Sequence, residues 1–131
     1  MYIIKENSKI EKAIENLNKL PEGKTTFFKG DSKEILSLFK LSKRTHNSVL
    51  VDFENNQQNI FEKIIPIKNI KITQSSIVKS KVEAMLLNLN KLPKINVLQY
   101  KDEMVIFDGH HRLTAMYLLG IKNIKANLTI L

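Results

Sequence analysis

Apolar side chains recur every three or four positions in several parts of the chain, which is the spacing of an amphipathic helix. The first such stretch predicts a helix over residues 7–19, and Ser8 followed by Glu11 is typical of the capping box that starts a helix. The same periodicity predicts three further helices, over residues 32–40, 80–89 and 111–119.

Short apolar runs rich in β-branched residues predict the strands. The run at residues 49–53, with the sequence VLVDF, predicts a buried strand. Further strands are predicted over residues 60–65, 95–100, 104–107 and 124–130, with an extended segment at 66–72. A short turn at residues 101–103 makes the middle two a hairpin. Elements in this order predict an α+β domain with a small mixed sheet flanked by helices.

The composition is that of an ordinary globular domain. A length of 131 residues is enough for one domain with a substantial core. No apolar run approaches the roughly 20 residues of a membrane-spanning helix, and the first residues lack the features of a signal peptide, so we expect a cytoplasmic protein with no membrane partner. Because the chain has no cysteine, disulfides and thiolate chemistry are excluded.

The positive charge is concentrated in the second half of the chain. Residues 66–131 carry 10 basic and 4 acidic side chains, a net of +6 out of the total of +8. A basic field attracts polyanions, so nucleic acid or a nucleotide is the expected partner. The alternative is that scattered lysines only keep the surface solvated, and charge alone does not decide between the two.

The densest polar chemistry lies in the segment FDGHHRLTA, residues 107–115, between a predicted strand and a predicted helix. Free backbone N–H groups and the positive helix end converge at such a junction, which is where anions are commonly bound. Gly109 fits a position that needs positive φ or close backbone approach. A cation in a first helical turn, as Arg112 is, opposes the helix dipole, and a bound anion would remove that penalty. Alternatively, Arg112 points to solvent or pairs with Asp108.

Adjacent helical residues point about 100° apart, so His110 and His111 cannot both face one ligand in a regular helix. One of them is expected to face the cleft as a phosphate donor or general acid–base group, and the other to be a structural hydrogen bonder. The spacing of Asp108 and these histidines matches no zinc pattern, so no tightly bound, protein-built metal site is predicted. Magnesium held mainly by the phosphates of a nucleotide, with Asp108 as a ligand, fits better.

Two polar segments outside the junction have open interpretations. Residues 73–76, which include Gln74 and Ser75, are either a second wall of the cleft or a capping loop before the next helix. The basic cluster at residues 43–46 is interpreted as a solvated loop rather than a contact site.

The segment from Asp108 to Ala115, followed by LLG at residues 118–120, resembles the signature of the ParB/sulfiredoxin-like superfamily. That signature is a glycine, two variable residues, an arginine, two more residues and an alanine. Softer similarities upstream extend the resemblance over residues 64–131, about half of the chain. Residues 1–63 would then be an N-terminal α/β extension, with helices over 7–19 and 32–40 and the strand over 49–53.

The resemblance implies a site that binds nucleotide phosphates at a helix N-terminus. The phosphate-binding residues it implies are Gly109, Arg112 and Thr114, and Gln74 and Ser75 join them if residues 73–76 form the second wall of the cleft. ATP, ADP or CTP, with Mg²⁺, is the implied cofactor, and Asp108, His110 and His111 are the implied catalytic residues.

Two departures narrow the expected activity. Sulfiredoxin activity needs a cysteine that this chain lacks, and the chain ends one strand after a block with a single arginine, so centromere binding is not expected. Nuclease-type phosphoryl chemistry on nucleic acid is the leading hypothesis. A nucleotide-dependent kinase of the free-serine type and a non-catalytic nucleotide- or DNA-binding module are the alternatives. Glu62, Glu83 or Asp102 beside Asp108 would supply the second carboxylate of a two-metal nuclease.

Overall fold

A computed structural model of the chain describes residues 2–20, 38–74, 77–88 and 92–131. These residues form four α-helices and five strands. The helices are α1 (Tyr2–Asn18), α2 (His46–Asn55), α3 (Lys79–Leu86) and α4 (His110–Leu118). The strands are β1 (Ile60–Pro66), β2 (Ile70–Lys71), β3 (Ile95–Tyr100), β4 (Glu103–Asp108) and β5 (Asn123–Ile130), and short 3₁₀ turns span Gln57–Asn59 and Ile67–Asn69.

The five strands form one sheet in the order β1-β5-β3-β4-β2. Strand β1 runs antiparallel to β5 and β3 antiparallel to β4, whereas β3 is parallel to β5 and β2 is parallel to β4. The predicted α+β class with a mixed sheet is therefore confirmed. The predicted hairpin is also present, with Tyr100 paired to Glu103 and Lys101 in the turn at φ 56°.

The larger core lies between one face of the sheet and the helices α1, α3 and α4. Alternate strand residues on this face, such as Val97 and Ile106, pack with Leu17, Val82 and Leu113, and all five are fully buried. The other face of β3 and β4 is covered by α2, in a smaller apolar cluster. Helices from both halves of the chain thus enclose the centre of the sheet.

The prediction of a strand over residues 49–53 is wrong, because these residues belong to helix α2. Thr45 caps the helix by accepting a hydrogen bond from the Ser48 backbone N–H at 3.2 Å. Val49 and Phe53, four residues apart, lie on the same helical face, and the Phe53 ring packs on Phe107 with centroids 4.4 Å apart. Burial of that face against the sheet outweighs the β-propensity of a short valine-rich run.

One helix prediction needs correction at its start, and another lies largely outside the described residues. Helix α1 begins at Tyr2, so Ser8 lies inside it and does not form the predicted capping box. Most of the helix predicted over residues 32–40 falls outside the described residues, and the part described, 38–40, is a turn. The predictions for α3, α4 and the four apolar strand runs from residue 60 onward agree with the structure within a few residues, and the extended segment predicted at 66–72 contains a 3₁₀ turn and the short strand β2. None of the described helices is long and apolar enough to cross a membrane.

Candidate functional site

The junction between β4 and α4 is built around a glycine. Gly109 has φ 111° and ψ 27°, which L side chains rarely adopt. A Cβ at this position would lie 2.7 Å from Cγ2 of Ile95 and 3.1 Å from Nη2 of Arg112. The predicted positive φ is therefore confirmed, whereas a close approach to a ligand stays a prediction. The positive φ and the close packing on Ile95 together turn the chain sharply from strand into helix.

The start of α4 opens on a cavity of about 370 Å³. The first hydrogen bond within the helix runs from the Leu113 N–H to the Gly109 carbonyl at 2.8 Å. The backbone N–H groups of residues 110–112 therefore have no acceptor within the helix itself. No acidic residue occupies the first turn, and the N-cap residue is Gly109, which has no side chain to cap it. The cavity is lined by His46, Gln74, Lys81, Met85, Phe107, Asp108, Gly109, His110, His111 and Arg112.

Arg112 is buried at the base of this site, with 9% of its surface exposed. Its Nη1 donates to the carbonyls of Pro93 and Lys94 at 3.1 and 2.8 Å, and its Nη2 lies 3.2 Å from Oδ2 of Asp108. The guanidinium therefore joins the loop before β3 to the end of β4. Of the alternatives open from sequence, the structure has the pairing with Asp108, and a phosphate contact by Arg112 stays a prediction.

Asp108 sits at the rim of the cavity, with 59% of its side chain exposed. Asn96 donates to its Oδ2 at 2.9 Å, and Asn127 donates to Asn96 at 3.3 Å, so an amide chain leads across the sheet toward β1. Glu62 is the cross-strand partner of Asn127, which places β5 and β3 between Glu62 and Asp108. Glu62 instead pairs with two lysines, and its hydrogen bond to Lys94 is the main cause of its lowered pKa.

The other carboxylates named as partners for Asp108 do not line the cavity either. Asp102 lies in the turn at the opposite end of β4, and Glu83 is on the exposed surface of α3. Within the ranges that the structure describes, no three His, Asp or Glu side chains come together to hold a metal ion. A two-metal arrangement built on Asp108 thus has no second carboxylate among the residues proposed for it.

The two adjacent histidines both accept hydrogen bonds from backbone amides. His110 Nε2 accepts from the Thr73 N–H and His111 Nε2 from the Val78 N–H, each at 3.0 Å. These bonds place the ring protons on Nδ1 in the neutral form. One structural and one cleft-facing ring were expected, whereas both rings line the cavity and both bind the backbone of the segment that precedes α3.

Burial keeps both rings uncharged. Desolvation lowers the pKa of His110 to about 3, with smaller contributions from His46 and His111. Desolvation also lowers the pKa of His111 to about 4, with a smaller contribution from Lys81. Because their acceptor atoms are occupied, these rings are suited to positioning the cleft wall, and the catalytic roles predicted for them stay predictions.

This arrangement predicts that acid weakens the fold before most carboxylates titrate. Between about pH 4 and 6.5 the unfolded chain protonates both histidines while the folded chain does not, so the free energy of unfolding falls as the pH falls. Each ring adds a slope of up to about 1.4 kcal/mol per pH unit, and the slope vanishes above the unfolded pKa. Urea unfolding measured from pH 5 to 8 gives this dependence directly.

The matched variant is His110→Gln, whose amide oxygen can accept from the Thr73 N–H in place of Nε2. We expect it to remove about half of the slope between pH 5 and 6.5 while leaving the stability at pH 8 within about 1.5 kcal/mol of the wild type. A variant with the full wild-type slope would contradict the assignment of His110 as neutral and buried.

The remaining predicted site residues have different locations. Gln74 lines the cavity, which agrees with a second cleft wall at this segment. Ser75 lies outside the described residues. Thr114 is fully buried and donates to the His110 carbonyl at 2.8 Å, so it stabilises the first turn of α4 and does not reach the cavity.

Sequence reasoning missed two residues that line the cavity, His46 and Lys81. The interpretation of residues 43–46 as a solvated loop is wrong for His46, which begins α2 and reaches across to Thr73. A lone histidine more than 60 positions before the junction carries no local signal of this contact. Lys81 is an exposed lysine on a helix, and nothing in the sequence around it distinguishes it from the other exposed lysines.

No protein-family model matches the sequence, and comparison with curated proteins finds no similar sequence. Among solved structures, the fold is similar to the crystal structure of sulfiredoxin from Arabidopsis thaliana, with a TM-score of 0.44 and 22% sequence identity. The similarity covers 54% of this chain and 84% of that one. It is a partial likeness, so membership of the superfamily suggested by residues 108–120 stays a prediction, and the function of the cleft rests on its own residues.

Proposed function

We propose that the cleft at the start of α4 binds the phosphate groups of a nucleotide or a polynucleotide. The observation that carries the proposal is the opening of the first turn of α4 onto a cavity that also holds Lys81 and His46. Backbone amides at a helix start, supplemented by basic side chains, form a favourable environment for a phosphate. The cavity volume of about 370 Å³ lies in the range of small-molecule sites.

The charges around the cleft leave one lysine side chain to attract an anionic ligand. The Arg112 guanidinium already faces a carboxylate, and the two buried histidines are neutral. Among the residues that the structure describes, Lys81 forms no ion pair, and Asp108 at the rim is the acidic residue of the same cavity wall. The net charge of +6 over residues 66–131 adds a long-range field of the same sign.

Calorimetric titration with ATP, ADP, CTP and GTP, with and without Mg²⁺, tests the proposal. We expect at least one nucleotide to bind, and Lys81→Gln to weaken that binding about fivefold, because it removes about 1 kcal/mol of attraction between an exposed ammonium and a phosphate. The control is Lys68→Gln, which removes the same charge from the 3₁₀ turn Ile67–Asn69, outside the cleft.

The control variant is expected to bind within about twofold of the wild type, because screening in salt weakens distant charges. Failure of all four nucleotides to bind would refute a nucleotide-phosphate cleft. Equal weakening by Lys68→Gln and Lys81→Gln would show that only the overall charge of the domain matters.

Nuclease-type phosphoryl chemistry is the second candidate, and the exposed Asp108 carboxylate at the cavity rim favours it. Asn96 and Arg112 fix this carboxylate beside the proposed phosphate position, where it would orient or deprotonate an attacking water. The test is incubation with plasmid and single-stranded DNA, with Asp108→Asn as the control for contaminating nucleases. Cleavage that persists in the variant would contradict this role, and nucleotide binding without cleavage would favour a kinase or a non-catalytic module.

A further inference from the structure

His46 connects the N-terminal part of the chain to the cleft. It is the first residue of α2, it is half-buried, and its Nδ1 lies 3.0 Å from the hydroxyl of Thr73. Its ring is 6.4 Å from the ring of His110, centroid to centroid, and it forms part of the cavity wall. It lies outside residues 64–131, so the resemblance noted for the junction assigns it nothing.

We propose that His46 binds the phosphate in its protonated form, and that its imidazolium Nε2–H donates a hydrogen bond to a phosphate oxygen. Phosphate binding would then strengthen as the pH falls through the titration of this ring. The inference rests on the proposed function, since it specifies how the same cleft recognises its ligand.

The hydrogen bonds of Thr73 determine which ring nitrogen of His46 remains for a ligand. The Thr73 hydroxyl donates to the Ile106 carbonyl at 3.0 Å, and its oxygen lies 3.0 Å from Nδ1 of His46 and 3.3 Å from Nε2 of His110. With the hydroxyl proton directed at the Ile106 carbonyl, and with Nε2 of His110 already accepting from the Thr73 N–H, the oxygen accepts from Nδ1 of His46. His46 therefore carries a proton on Nδ1 in its neutral form, and Nε2 is then an acceptor only. A phosphate oxygen is also an acceptor, so contact between the two requires a second proton on the ring.

The other cavity histidines cannot serve in this way. The Nε2 atoms of His110 and His111 already accept backbone N–H bonds, and protonating either one would break its bond to the segment before α3. Among the histidines of the described residues, His46 alone combines a half-buried ring with a place in the cavity wall and an Nε2 for which no backbone donor is found.

Several charged groups line the same cavity as the His46 ring. They are Asp108 at the end of β4, Lys81 of α3 and Arg112 of α4. His110 and His111 of α4 are neutral. On its own side, Arg44 is held by Asp52 of α2. A bound phosphate adds negative charge to this set, so it stabilises the protonated ring, and proton and phosphate binding are mutually reinforcing.

The test compares ATP binding by calorimetry between pH 6 and 8.5 in the wild type, His46→Asn and His46→Gln. An asparagine amide can keep the bond to the Thr73 hydroxyl from the place of Nδ1, but it removes Nε2. A glutamine amide offers a neutral donor near the place of Nε2 at every pH. The ligand's own titration is common to all three proteins, so the ratio of wild-type to variant affinity isolates the contribution of His46.

We expect the wild type to bind ATP about tenfold more tightly than His46→Asn at pH 6, the effect of one charge-assisted hydrogen bond, and about equally at pH 8.5. Because glutamine does not titrate either, the ratio of wild type to His46→Gln is expected to change with pH by the same factor, but to be smaller at every pH, since the glutamine amide donates a neutral hydrogen bond. Nuclear magnetic resonance of the ring nitrogens adds a direct readout: ATP should keep His46 protonated to a higher pH.

The outcomes separate the two proposals. If ATP binds in a Lys81-dependent manner but His46→Asn keeps the wild-type pH profile, the role of His46 is refuted and the phosphate cleft stands. If neither ATP nor the other nucleotides bind, the cleft itself is refuted. Thermal melting of each variant shows whether it is folded, and if His46→Asn does not fold, the ring-nitrogen titration of the wild type with and without ATP decides the question.

Discussion

Gly109→Ala is expected to lower the free energy of unfolding by about 3 kcal/mol. Roughly 1–2 kcal/mol comes from placing an L side chain at φ 111°. A further 1–2 kcal/mol or so comes from the new Cβ, which would lie 2.7 Å from a branched, buried Ile95 that has little room to yield. Urea unfolding at pH 8, where the buried histidines add no slope, measures the loss.

The second glycine with positive φ provides the control. Gly120 has φ 81°, but a Cβ there would meet nothing within 4 Å. Gly120→Ala should therefore show the backbone strain without the steric clash and lose about 1–2 kcal/mol. Equal losses in the two variants would mean that the chain turn at the junction tolerates the extra methyl group, and that close packing does not explain the glycine.

Arg112→Met is expected to lower the free energy of unfolding by about 3–4 kcal/mol. The substitution keeps most of the apolar stem but leaves the Pro93 and Lys94 carbonyls without their donor, and each carbonyl left without a partner costs about 1–2 kcal/mol. Urea unfolding measures this loss. Nucleotide binding should also weaken, because the loop before β3 and the rim carboxylate lose their common anchor.

Asp108→Asn separates the stabilisation due to the ion pair of Arg112 from that due to its hydrogen bonds with the two carbonyls. The carboxylate is largely exposed, and asparagine still offers an acceptor to Asn96 and Arg112, so we expect a loss below about 1 kcal/mol. A loss as large as that of Arg112→Met would show that the ion pair, and not the carbonyl contacts, determines the role of this arginine.

The junction could be predicted from sequence because its requirements are local. A glycine between an apolar strand and an apolar helix predicts positive φ from a few neighbouring positions, and the structure confirms it, whereas the anion site inferred from the same positions stays a prediction. The strands β3, β4 and β5 could also be predicted, because a hydrophobic run of a few residues is long enough for one strand of a sheet. These parts of the fold depend little on distant residues.

The helix α2 and the walls of the cleft depend on distant contacts. Residues 49–53 have strand-like composition, and only their packing on Phe107 and its neighbours makes the helical face favourable. Likewise, whether Arg112 meets a ligand, solvent or Asp108 depends on the carbonyls of a loop 18 and 19 positions earlier. His46 joins the cleft only because α2 packs over β4, which no pattern near residue 46 reveals.

The bonds from Thr73 and Val78 to the two histidines use main-chain N–H groups. For the contact with His111, any residue other than proline at position 78 supplies the same donor. In related sequences, the histidine could therefore stay fixed while its partner position drifts freely through unrelated side chains. Correlated substitutions would then give no trace of a direct contact that joins two ends of the cleft wall, and only a proline at position 78 would reveal it.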